Sequence, residues 1–128
     1  MQDRPTACEL LVAMAELLEE DVLGAVAGPL QHQVRVAGNL ARILEREIAL
    51  GAEHEAREIE LLCGVLGEEP EGRDARALSQ ALVDRLDAGH DAELELRAWP
   101  ALVEIVRRKL AINKPGYDDY DFRAEVEA

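Results

Sequence analysis

A chain of 128 residues, 48% hydrophobic but only 3% aromatic, is long enough to bury about two-thirds of its unfolded surface in one core without metal or disulfide support. Fourteen basic residues against twenty-seven acidic ones leave a formal charge of -13, which repels nucleic-acid phosphates and anionic membranes alike. Richness in Ala, Leu and Glu, with no sustained β-branched alternation, points to helix almost throughout and excludes a sheet-based fold.

The first helix opens at Thr6 with Glu9 in capping-box spacing and is expected to stop at Gly24. Its apolar stripe is Leu10, Ala13, Met14, Leu17 and Leu18, and Asp21 falls on that stripe where a leucine is the ordinary choice. Residues 25–28 form a small-residue connection, and Pro29 suits the first turn of the next helix. That helix, residues 31–51, is the longest helical pattern. Val34, Val36, Ala37, Leu40, Ala41, Ile43, Leu44 and Ile48 cover about half its cylinder, which makes it central with neighbours on two flanks. Its opposite face carries Arg35, Asn39, Arg42 and Arg46 in one narrow row.

Gly51 is expected to end the central helix, and a third helix over residues 53–66 would return antiparallel to it. Residues 67–74 read as a loop, Asp74 as the cap of a fourth helix with the stripe Leu78, Ala81, Leu82 and Leu86, and Gly89 as its end. Pro100 divides the remainder into a short turn over residues 92–97 and a last helix, or kinked continuation, to Ile112. The predicted fold is therefore all-α, an antiparallel helical bundle of four main helices plus one short helix. Residues 1–115 form a single bundle domain and residues 116–128 an acidic, aromatic tail. Tyr117, Tyr120 and Phe122 in that tail are expected to anchor on the bundle or a second subunit, with Asp118, Asp119 and Asp121 complementing the arginine row.

The N-terminus lacks the basic start and apolar run of a signal peptide, and no stretch approaches eighteen apolar residues, so a cytoplasmic protein that neither spans nor binds membrane is expected. Cys8 and Cys63 fit no metal or redox spacing and read as free thiols. No phosphate loop, nucleophile elbow, HExxH or zinc cluster occurs, which leaves no catalytic residue, no metal site and no cofactor to name. His54 and Glu58 stand four apart on a helix and could share a metal, but an exposed, acid-rich helix surface is the better reading of them. Lys109 sits in the middle of the last helix's apolar face with Leu102, Ile105, Val106 and Leu110. A buried ammonium needs a carboxylate, and Asp21 or Glu47 are the expected buried partners, although snorkelling to the rim would also satisfy the charge. Arg35, Asn39, Arg42, Arg46 and Lys109 are the candidates for binding a ligand or partner, since guanidinium groups match planar carboxylate and phosphate.

The stretches VRVAGNLARILEREIALG, KLAINKPGY and DRPTACELLVAMAELLEEDV resemble the bacterial proteins grouped as domain of unknown function 6285, over nearly the whole chain. The most specific positions are Arg35, Val36, Ala37, Asn39, Arg46, Glu47, Leu50 and Gly51, then Lys109, Leu110, Pro115 and Tyr117. The family pattern has Asn directly before the proline, where this chain has Lys114 and carries Asn113 one place earlier. The resemblance implies a small helical protein without assigned activity, encoded beside aminoglycoside-kinase-type phosphotransferases and acyl-CoA dehydrogenases. The expected function is thus a non-enzymatic accessory protein that self-associates or docks on such an enzyme. The alternative is a small site for an anionic metabolite or acyl thioester, formed by Lys109 with Arg35, Asn39 and Arg46.

Overall fold

The computed structural model describes residues 3–116, so the expectation for the aromatic tail falls almost wholly outside the described residues. The chain is all-α, a helical bundle by class, and no strand occurs among the described residues. In order, α1 (Ala7–Glu16) passes through a π-helical stretch (Leu17–Val22) into a short α2 (Leu23–Ala25). Then come α3 (Pro29–Leu66), α4 (Ala75–Asp87) and α5 (Ala92–Asn113). The packing divides after Gly51 into two compact units. The first contains α1, the π stretch, α2 and residues 29–51 of α3; the second contains residues 52–66 of α3 with α4 and α5.

In the first unit Thr6 caps α1, its hydroxyl accepting from the Glu9 N–H at 3.1 Å. The Glu9 carboxylate turns to Arg4 instead, at 2.8 Å. Cys8 Sγ lies 3.6 Å from the Glu45 carbonyl, Glu19 meets Arg42, and Gln31 reaches the Leu23 carbonyl, so α1 and α3 run antiparallel. The π stretch explains the misplaced aspartate. Leu23 N–H donates to the Leu18 carbonyl five residues back, and each such turn holds one more residue than an α turn. The register slips accordingly: Val22 is half-buried and Asp21 is exposed. The stripe is completed by a valine, one place later than α periodicity puts it.

The second unit holds the main core. Leu62, Cys63 and Val65 of α3 meet Leu78 and Leu82 of α4 and Leu94, Ala98, Ala101 and Ile105 of α5. Gly67, with φ of 75°, closes α3 as its N–H and that of Glu68 donate to the Cys63 carbonyl. Asp74 caps α4 and Asp91 caps α5, each carboxylate accepting a backbone N–H. Burial pushes the Cys63 thiol pKa up, as suits an inert core residue.

Three expectations need correction. Gly51 does not end a helix; α3 runs through it for 38 residues, so the stretch read as a separate third helix is the second part of the same one. A helical glycine costs about 1 kcal/mol against alanine, which a long run of strong helix formers on both sides offsets. Pro100 does not divide α5: it removes one donor to the Leu96 carbonyl, on an exposed side of the helix where solvent offers a partner. Finally, the apolar half-cylinder of α3 in the first unit is not enclosed on two flanks.

Candidate functional site

That open face is the main surface feature of the first unit. On α1 and the start of the π stretch, Leu10, Met14 and Leu17 are exposed; on α3, so are Leu30, Val36, Leu40, Leu44 and Ile48, each of the eight between 43% and 55%. Against them, Ala15, Val34 and Ala41 are the only buried hydrophobics among the described residues of this unit. At about 100° per residue, Val34, Gly38 and Ala41 face α1, and the exposed α3 residues fill roughly the next 120° in one rotational sense. Ala15 faces α3, and Met14 and Leu10 lie off it in the same sense. In an antiparallel pair, equal sense on both helices means one common face. The two stripes therefore form a single apolar surface.

The row on the other side of α3 is partly neutralised within the chain. Arg42 Nε and Nη2 donate to Glu19 Oε1 and Oε2 at 3.4 and 3.0 Å, and this contact lowers the Glu19 pKa and raises that of Arg42. Arg35 and Asn39 are exposed and Arg46 is half-buried. Glu19 also lies over Gly38, where a β-carbon would stand 3.2 Å from Glu19 Cγ. Sequence periodicity offers no hint of this contact beyond a glycine within a strongly helical run.

In the second unit Lys109 is not buried. Its side chain is 61% exposed and its Nζ stands 3.5 Å from Oε1 of Glu58, a carboxylate only 17% exposed. Asp21 and Glu47, the partners expected from sequence, are themselves exposed. The lysine stem is long enough to lie against apolar neighbours while its ammonium reaches water. Lys109→Met is accordingly expected to cost about 1 kcal/mol, because the ammonium stands in water although the Glu58 carboxylate it leaves is largely covered; a loss several times larger in urea titration would contradict this placement. The reading of His54 and Glu58 as plain surface also needs correction. Both are half-buried, and His54 Nδ1 is buried with no hydrogen-bond partner among the described residues.

A further electrostatic cluster is not visible in the sequence, because it joins residues 47 apart. Arg57 Nε and Nη2 donate to Glu104 at 2.7 and 3.2 Å, and Arg57 Nη1 donates to Glu60 at 3.2 Å. Arg108 Nε adds a further bond to Glu104 at 3.1 Å. The Arg57 guanidinium, with help from Arg108, holds the Glu104 carboxyl below the usual range against the opposing effect of burial. Its contribution to stability is complete above the unfolded value of about 4.3 and is lost as pH falls through the lower folded value. Glu104→Gln should therefore cost about 1 kcal/mol near neutrality, in keeping with a cluster about a third exposed. The difference from wild type should shrink as pH drops below about 4, which urea titrations across the acid range would measure.

Among the described residues no three His, Cys, Asp or Glu side chains gather as a metal site, and no helix is long and apolar enough to cross a membrane. No curated protein and no solved structure matches the chain. The family model described as domain of unknown function (DUF6285) matches residues 24–117, well over half of the sequence. The chain belongs to the DUF6285 family.

Proposed function

We propose that this protein is a non-catalytic accessory protein of the cytoplasm that acts through protein contacts, by self-association or by docking on an enzyme. The observation that carries the reading is the apolar face of the first unit. Soluble chains rarely leave contiguous apolar patches beyond a few hundred Å² unless another protein covers them. A net charge of -13 directs the choice of partner away from nucleic acid. The phosphotransferases and acyl-CoA dehydrogenases implied by the family resemblance are the enzymes to test first.

The alternative, a site for an anionic metabolite or acyl thioester, has less support. Of its cations, Lys109 stands against Glu58, and Arg42, beside the proposed row, is held by Glu19. Co-purification from the native host, with wild type and Leu44→Glu compared by mass spectrometry, tests the preferred reading. The expected result is an enzyme captured by wild type and lost with the variant. Identical captures would sink a role for this face.

A further inference from the structure

Resting on that reading, we infer that the apolar face of the first unit is covered by a second copy of this chain, two helical hairpins packing face to face as a four-helix arrangement. The first ground is the missing layer. An amphipathic helix pair buries its stripe only against another layer, and here two alanines and one valine are all the buried hydrophobics among the described residues of the first unit. Four-helix bundles solve this by placing two such pairs together. A twofold axis gives the simplest closure, since each copy then presents the same patch to the other.

Area is the second ground. Eight large side chains, each about half exposed, offer on the order of 700 Å² of apolar surface per copy, close to the roughly 800 Å² per partner of a standard stable interface. The face is also long enough: 23 residues of α3, from Pro29 to Gly51, span about 35 Å at 1.5 Å each. Chemistry is the third ground. Leu10, Met14 and Leu17 face Leu40, Leu44 and Ile48 in kind, so the surface is complementary to itself and calls for no charged partner. Glu47 is the one charge within the α3 stripe, and its carboxylate folds back along its own helix, with Oε1 2.8 Å from where a Gly51 β-carbon would stand. The acids elsewhere on the chain repel between copies, and salt screens that repulsion within about 10 Å at 0.1 M. Association through this face should therefore tighten as salt rises, whereas docking of a basic protein would weaken.

Sedimentation equilibrium of the full chain tests the inference. Wild type at tens of micromolar should show twice the chain mass, more strongly at 0.5 M than at 0.05 M sodium chloride. The double variant Leu40→Glu with Leu44→Glu should show the chain mass, a weakening of at least a hundredfold, while its Trp99 fluorescence transition in urea persists. Hydrogen exchange on wild type guards against a variant that fails to fold: peptides from α1 and residues 29–51 should gain protection as concentration rises, and peptides from α4 should not. A wild type with the chain mass at 100 µM overturns the inference, as does a folded double variant that still dimerises. If removal of residues 117–128 turns a monomer into a dimer, the occupant is the tail and the inference is again overturned. A monomeric wild type that still captures an enzyme through Leu44 would sink only the second copy; a dimer that captures none would sink only the enzyme partner.

Discussion

Leu62→Ala is expected to remove about 3 kcal/mol from the stability of the second unit, within the range for leucine truncations in a packed interior. Leu62 is 1% exposed and sits where α3, α4 and α5 meet, beside Cys63, Leu78, Leu94 and Ala98. The loss has two parts, the transfer energy of the deleted carbons and the cavity left behind. Collapse into that cavity is poor here because several of the surrounding side chains, Cys63, Ala98 and Ala101, are short and cannot reach across it. Trp99 lies on α5, so its fluorescence in a urea titration reports this unit. The midpoint should fall with an unchanged slope, and Val83→Ala, on an exposed position of α4, should move it hardly at all. Equal effects from the two substitutions would mean that the core is not where the three helices place it.

Leu62 also illustrates what periodicity can and cannot reveal. Its stripe, like those of α4 and the start of α1, was legible because each residue's burial follows from spacing along one helix. The caps at Thr6 and Asp74 were legible for the same local reason. The misreadings arose where local rules met a tertiary or conformational decision. Gly51 carries a helix penalty of about 1 kcal/mol and Pro100 one of about 3 kcal/mol, yet both helices continue through them, so neither works as punctuation. Counting α turns puts Asp21 on the stripe, but the stretch is π, and one extra residue is enough to move it off. The apolar helical neighbours of Lys109 predict burial. A long side chain on such a face escapes to the rim and finds Glu58, a partner that only the packing of α3 against α5 supplies. The open face of α3 shows the same limit from the other side. An apolar half-cylinder demands a cover, and sequence states the demand without saying whether the same chain meets it.

Gly38→Leu is expected to destabilise the first unit by about 2 kcal/mol, the cost typical of forcing extra carbons into a packed contact. Gly38 is buried, and the position of its absent β-carbon lies 3.2 Å from Glu19 Cγ and 3.6 Å from Glu19 Oε1. A leucine there must push the π stretch away from α3, which breaks the paired bonds from Arg42 to Glu19. Gly38→Ala separates this contact from backbone propensity. Alanine gains up to about 1 kcal/mol as a helix former but needs Glu19 to give by a few tenths of an ångström, so its net effect should lie within about 0.5 kcal/mol of zero. The carboxylate itself supplies a second readout. In wild type the Arg42 hydrogen bonds hold the Glu19 pKa below its ordinary value, and in Gly38→Leu it should return to the ordinary glutamate range, as followed by side-chain carboxyl NMR. Thermal denaturation by far-ultraviolet circular dichroism supplies the stability difference. A leucine variant with wild-type stability and an unchanged Glu19 titration would show that the π stretch does not rest on α3 at Gly38.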